Sequence, residues 1–338
     1  MKLNKFIIAL LLLMITILAA CGSSEDSAAE GNEGVTEEEK ITVYTSVPQD
    51  LVDEFKAAFE EAHPGKTVDV FRAASGELLA KLQAEHDADS VQADVVWVAD
   101  FQSAEALKEL GLLEQYESTE KDAVNSNLID PEGYYYGSRI INMVLAYNTN
   151  VEAPASWNDL HNPAYEGKVG LPSVSSGTSF SFVGSLAADD NFGWEFFEKM
   201  RENGGKQYSN NQDVAERVVT GELAIAPVLD YMVTGMKLQG SPIDYVIPEE
   251  GLVMVASPIA LVADSAAPET AKSFIDFTLS KDGQEIMSSQ NVVSVREDVE
   301  ASENVPSIGD VKILETDLDY LDAHNEEITA KFEEIFTN

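Results

Sequence analysis

From Ile41 onward, two kinds of hydrophobic spacing alternate along the chain. "ITVYT" (41–45), "TVDVF" (67–71) and "DVVWV" (94–98) are short β-rich runs that predict buried strands. Between them, apolar residues recur at helical spacing. In "LVDEFKAAFEEAH", Leu51, Phe55 and Phe59 fall on one face, Asp50 is placed to cap the start, and Pro64-Gly65 stop the end. Ser75 precedes a helix through "ELLAKLQAE". After Asp100, "SAEALKEL" predicts another, running up to Gly111. This β-α-β-α-β order predicts a mostly parallel sheet covered by helices.

The pattern then repeats. "YYYGSRIINMVLAYNT" is apolar and long enough to leave one lobe and enter a second. That lobe runs from "GKVGL" through "FGWEFFEKM" and "ELAIAPV" to a helix after Asp230. "IDYVIPEEGLVMVASPIALV" is the return passage, and Pro268 opens a helical stretch through "SAAPETAKSFIDFTLSKDGQEIMSSQ". The expected organisation is lobe 1 over 41–142 and 247–285 and lobe 2 over 143–246. An acidic helical segment, 286–338, packs across both. The fold class is α/β, two lobes with mostly parallel sheets joined by a two-strand hinge. Open α/β sheets bind ligands beyond the carboxyl ends of their strands. The loops after Thr45, Phe71, Val98, Leu171 and Val228 are therefore the ones to inspect.

The N-terminus changes the picture of location. Lys2 and Lys5 precede "FIIALLLLMITILAA", an apolar run too short for a membrane span, and "LAAC" closes it at Cys21. This resembles the lipobox of a bacterial lipoprotein. The resemblance implies that residues 1–20 are a signal peptide and that Cys21 carries lipid, anchoring the chain outside the cytoplasm on the outer face of the cell membrane. Cys21 is the only cysteine, so no internal disulfide is possible. Residues 21–40 are polar, acidic and without aromatics, the composition of a disordered tether.

Charge narrows the partners. The chain holds 60 acidic and 21 basic residues. Loss of the first 20 residues removes two lysines, leaving 19 bases and a net charge of −41. Nucleic acid is excluded as a partner, because phosphate backbones need clustered Lys and Arg, and anionic headgroups are equally unfavourable.

Against that acidity, Val169 to Ala188 carries no charged side chain, and six hydroxyls (Ser173, Ser175, Ser176, Thr178, Ser179 and Ser181) surround Gly177. Thr45 and Ser46, and Ser75 and Gly76, give the other strand-end loops the same neutral character. Free N–H groups at helix starts with short hydroxyls suit an anionic group. The same residues also serve as helix caps. Arg72 and Arg139 lie beside strand ends, Asp100 ends a strand, and Asp230-Tyr231 add an acceptor and a phenol. The expected ligand contacts are Thr45, Ser46, Ser75, Gly76, Asp100, Arg139, Ser175, Ser176, Gly177, Thr178, Asp230 and Tyr231. The histidines (His63, His86, His161 and His324) have no zinc spacing, "EHDADSVQAD" reads as an acidic surface loop, and no nucleophile or nucleotide motif is present. An enzyme is not expected, nor is a cofactor.

From Ile41 to Asn338 the chain resembles the solute-binding lipoproteins of ABC importers, in the type 2 periplasmic binding protein fold and its ferric iron, thiamine and phosphonate branch. "ITVYTSVPQDLVDEFKAAFEEAHPG", "SWNDLHNPAYEGKVGLPSVSSGTSF" and "APETAKSFIDFTLSKDGQEIM" carry the likeness by their order. The resemblance implies a monomer that closes on a small solute by hinge bending and delivers it to permease subunits. Ferric-binding members commonly pair adjacent tyrosines with a histidine in the first loop. Here only Tyr231 matches, followed by Met232, and "TSVPQD" has no histidine. A phosphate, phosphonate or carboxylate-bearing solute is the preferred expectation, with Asp230, Glu249 or Glu250 available to an amine. Ferric iron, alone or with a synergistic anion, and thiamine or its phosphate are the alternatives. A lipid-anchored enzyme and an adhesion scaffold are the readings from other classes.

Overall fold

The computed structural model describes residues 39–305, 311–314 and 316–337. The expected signal peptide, Cys21 and nearly all of the expected tether lie outside them. Strand β1 (Lys40–Thr45) leads through α1 (Gln49–Ala62) to β2 (Thr67–Arg72), and α2 (Ser75–Asp87) leads to β3 (Val95–Trp97). β1 pairs in parallel with both neighbours, giving the order β2-β1-β3 that helical crossovers permit. α1 starts one residue after Pro48, not at Asp50, which lies in the first turn. Phe55 and Phe59 are fully buried, and the Phe55 ring packs edge-on against Trp97 at 5.2 Å.

α3 (Phe101–Glu109) and the short β4 (Leu113–Glu114) lead to β5 (Tyr135–Asn148). β6 (Gly170–Pro172), α4 (Gly177–Ala188), α5 (Gly193–Glu202), β7 (Lys206–Tyr208), α6 (Asn211–Thr220), β8 (Ile225–Leu229), α7 (Asp230–Leu238) and β9 (Ile243–Val246) follow. β10 (Leu252–Val262) then returns to lie between β3 and β5. Both long strands match the two apolar passages. β10 pairs antiparallel with β3, β4 and β5 and in parallel with Ile313–Leu314, and β5 pairs antiparallel with β8 and β9. Among the described residues the main sheet is thus mixed, where mostly parallel pairing was expected. The passages run in opposite directions between the same two ends of the molecule, so they lie antiparallel side by side. β6 and β7 form a separate parallel pair.

α8 (Pro268–Leu279) and α9 (Lys281–Ser289) divide what the sequence reads as one helical stretch, because Ser280 caps the second by accepting from the Gly283 N–H. After β11 (Ile313–Leu314), α10 (Leu318–Ala323) and α11 (Asn325–Thr337) finish the chain, with Phe332 against Phe197 at 6.1 Å. Helix covers less of the last 50 residues than expected: 290–305 have none. Among the described residues no helix is long and apolar enough to cross a membrane.

One irregularity sets the direction of a candidate site residue. Along β5 the register against β10 slips between Ser257 and Pro258, so Ser138 is an extra residue between Gly137 and Arg139. Its hydroxyl accepts from Trp97 Nε1 at 2.7 Å and donates to the Ser257 carbonyl at 2.7 Å. Bulges kink a strand and re-aim its side chains. Arg139 is the next residue.

Candidate functional site

The loops after β1, β2, β3, β6 and β8 meet around a cavity of about 180 Å³. Ser46 and Pro48 come from the first, Arg72 to Ser75 from the second and Ala99 from the third. Ser176 and Thr178 come from the fourth, and Leu229, Tyr231 and Met232 from the fifth. Arg139 and Ile141 of β5 form the floor. The turn Ser209–Gln212 supplies the remaining wall, and no carboxylate lines the cavity among the described residues.

Helix starts crowd this space. α1, α2 and α4 begin after Pro48, Ala74 and Ser176, and none of the three has a side-chain cap. Ser75 and Ser176 are therefore not spent as caps. Ser75 Oγ accepts from the Ala99 N–H at 3.3 Å, and Ser176 Oγ lies 3.2 Å from Thr178 Oγ1. Uncapped N–H groups with the positive end of a helix dipole behind them attract negative charge.

Arg139 is 2% exposed, and its Nε and Nη1 have no hydrogen-bond partner. Burial pulls its guanidinium pKa down, the Tyr231 phenol opposes that, and the Arg72 charge adds to it. Burial likewise pushes the Tyr231 phenol up, with Arg139 opposing. Arg72 is oriented by its Nε, which donates to the Val47 carbonyl at 2.7 Å. An unpaired buried cation is costly. Two guanidiniums and uncapped helix ends thus face a cavity that no acid lines among the described residues.

Of the residues singled out from sequence, Ser46, Ser75, Arg139, Ser176, Thr178 and Tyr231 line the cavity, as does Arg72. The other six do not. Thr45 is fully buried and shapes the first turn, donating to the Trp97 carbonyl at 2.8 Å and accepting from the Val47 N–H at 3.0 Å. Gly76 donates its N–H to the Ser175 carbonyl at 3.3 Å, which joins the second loop to the fourth. Ser175 is exposed, with its hydroxyl 3.0 Å from Ser173 Oγ. Asp100 caps α3, accepting from the Ser103 N–H at 2.9 Å and hydroxyl at 3.0 Å. Burial raises its pKa while both bonds from Ser103 oppose the shift. Gly177 packs so closely on this carboxylate that a Cβ there would stand 1.5 Å from Oδ2.

Asp230 turns away from the cavity as well. It accepts from the Asn142 N–H at 3.2 Å, Asn142 Nδ2 at 2.6 Å and the Tyr231 N–H at 2.8 Å. Nor do the glutamates reach the cavity: Glu250 accepts from Ser156, Trp157 and Asn158, and the Glu249 carbonyl accepts from Lys312. An amine in the cavity would meet none of the three.

The wall that sequence reasoning missed is Ser209–Gln212. β7 is only three residues, Lys206–Tyr208, and none is fully buried, so it lacks an apolar run. The available signal was Gly204-Gly205 ahead of it and Asn210, which caps α6 by accepting from the Asp213 N–H at 2.9 Å.

Burial raises the pKa of Asp230 to about 6, with the bonds from Asn142 opposing the shift. The unfolded value is about 3.9. A carboxyl whose folded pKa is raised favours folding while protonated. Its contribution is full below about pH 4 and lost as pH rises through about 6, a change of about 3 kcal/mol. Urea unfolding of the wild type and Asp230→Asn should therefore diverge across that window, with the variant gaining relative stability as pH rises. A constant difference would contradict the assignment.

Residues 92–324 match the family model for bacterial extracellular solute-binding proteins. An uncharacterized protein of Haemophilus influenzae is 26% identical over 301 residues, 85% of this chain and 83% of its own. A probable ABC transporter periplasmic-binding protein of Sinorhizobium fredii, y4fP, is 26% identical over 234 residues, 64% of each chain. Among solved structures, the periplasmic binding protein AfuA of Actinobacillus pleuropneumoniae, with exogenous fructose-6-phosphate bound, aligns with a TM-score of 0.81 at 23% identity. The match covers 88% of this chain and 98% of AfuA. The ferric binding protein of Campylobacter jejuni aligns at 0.76 and 23%, over 87% and 99%. At these identities the structural likeness establishes the fold. The chain belongs to the bacterial extracellular solute-binding protein family and has the type 2 periplasmic binding protein fold.

Proposed function

We propose that the protein captures a small solute through an anionic group, a phosphate, phosphonate or carboxylate, and delivers it to the permease of an ABC importer. The observation that carries this reading is Arg139, a buried guanidinium with two unpartnered nitrogens in a cavity that no carboxylate lines among the described residues. Binding an anion satisfies the guanidinium and the uncapped ends of α1, α2 and α4 at once. The relative y4fP is described as a probable ABC transporter component, and AfuA holds a phosphorylated sugar, which supports the same role. β5 and β10, which continue from one end of the sheet to the other, serve as the hinge between lobes in this reading.

A bare ferric site is disfavoured. The phenol available in the cavity, Tyr231, stands beside Arg139, whose charge repels a trivalent cation. Thermal denaturation of the full-length protein in phosphate, alkylphosphonates and short carboxylates tests the reading. At least one of these anions should raise the melting temperature in a saturable way, and a response to Fe(III) alone would contradict it.

Lipid at Cys21 places the protein at its permease. A Cys21→Ser protein should lose label from a palmitate analogue and leave the membrane fraction for the medium or periplasm. Retention of label would overturn the anchor.

A further inference from the structure

One wall of the cavity holds neither guanidinium and none of the three uncapped helix starts. In the turn from β7 into α6, Ser209, Asn210 and Gln212 are committed to the helix that follows. Ser209 Oγ donates to Asp213 at 2.9 Å, Asn210 caps the Asp213 N–H, and Gln212 Nε2 donates to Glu216 at 2.8 Å. Asn211 is different. It is 5% exposed and lines the cavity. Its Nδ2 donates to Thr178 Oγ1 at 3.0 Å and to Ser176 Oγ at 3.2 Å, while its Oδ1 has no partner. The bonds to Thr178 and Ser176 hold the amide in place in either orientation, because both hydroxyls can also donate, and one polar atom of the amide is left over for another partner.

A buried acceptor left unpaired calls for a donor. A solute that displaces water from the cavity has to supply that donor, and its chemistry is constrained. An ammonium brought here would lose its hydration with no carboxylate in the cavity wall to meet it, and Arg139 and Arg72 repel it. A neutral hydroxyl carries no such cost, and because it both donates and accepts it pairs with the amide whichever way the amide faces.

We infer that Asn211 is the second specificity element of the site, accepting a hydrogen bond from a hydroxyl on the neutral body of an anionic solute. The site then selects hydroxylated anions over alkyl or aminated ones. This rests on the anion reading above and adds to it what the remainder of the solute must be.

Calorimetry on the full-length protein with matched probes tests it. Glycerol 3-phosphate and propyl phosphate share a carbon skeleton and differ in hydroxyls. 2-Hydroxyethylphosphonate and 2-aminoethylphosphonate exchange hydroxyl for ammonium. The hydroxylated member of each pair should bind about tenfold tighter, the worth of one well-placed hydrogen bond. Asn211→Ala should bring the first ratio towards one. Asn211→Asp, which keeps the shape and adds a charge, should reverse the second. Equal affinities within the pairs for the wild type, or a ratio that persists in Asn211→Ala, would overturn the assignment while leaving the anion site intact. If inorganic phosphate, all four probes and the matched carboxylate pair lactate and propionate fail to bind, the anion reading fails with it.

Discussion

Arg139→Met is expected to weaken anion binding by at least an order of magnitude and, at the same time, to raise the melting temperature of the ligand-free protein. The two effects have one cause. In the free protein the guanidinium is 2% exposed with Nε and Nη1 unpaired, so its desolvation is offset only in part, by the Tyr231 phenol, until an anion arrives. Methionine fills similar space without charge. Replacing buried ionic groups by apolar ones of like volume is commonly neutral or stabilising by about 1–4 kcal/mol, a shift of a few degrees or more in a chain of this size. The bound state loses its charge-assisted bonds, about 2–5 kcal/mol, so affinity should fall by roughly 30-fold to several thousandfold. Fluorimetry for the free protein and calorimetry with inorganic phosphate read the two arms. A variant that is destabilised and still binds would make Arg139 structural.

Gly177→Ala should impair closure more than folding. Its Cβ would stand 1.5 Å from Asp100 Oδ2, 2.5 Å from Cγ and 3.3 Å from the Ala99 Cβ. Asp100 cannot yield cheaply, because moving it releases the Ser103 N–H and removes the cap of α3, at about 0.5–2 kcal/mol. Overpacking adds about 1–3 kcal/mol. Asp100 ends the β3 side of the cavity and Gly177 starts α4 on the β6 side, so the easiest relief is to move the two sides apart. Affinity should therefore drop by about one to two orders of magnitude while the melting temperature of the free protein changes little. Small-angle scattering with a saturating anion should show compaction in the wild type and not in the variant. Equal compaction in both would show that the contact is not across a moving boundary.

How far the sequence spoke for the site depends on which physical signal each part carries. The loops after Thr45, Phe71, Val98, Leu171 and Val228 follow from strand ends, and those ends are set by apolar runs that the chain displays openly. The structure brings all five to one cavity. Which residue within a loop faces the cavity was less legible. Thr45 and Asp100 have the right chemistry, but both are consumed by structural bonds, Thr45 to the Trp97 carbonyl and the Val47 N–H and Asp100 to Ser103. Asp230 is claimed by Asn142, 88 positions earlier, a partner that no local pattern announces. The pairing of β10 between β3 and β5 was hidden for the same reason: sheet order is a long-range property, whereas periodicity is local. The Asn211 wall was missed because β7 has no apolar pattern to mark it.

The central claim is that an anionic solute is held on Arg139. Native mass spectrometry of the full-length protein, exposed to the small-molecule fraction of a cell extract, tests it most directly. The account predicts a non-covalent adduct whose released ligand is an anion, lost in Arg139→Met and kept in Cys21→Ser. An iron adduct abolished by Tyr231→Phe, or an anion adduct undiminished in Arg139→Met, would contradict it.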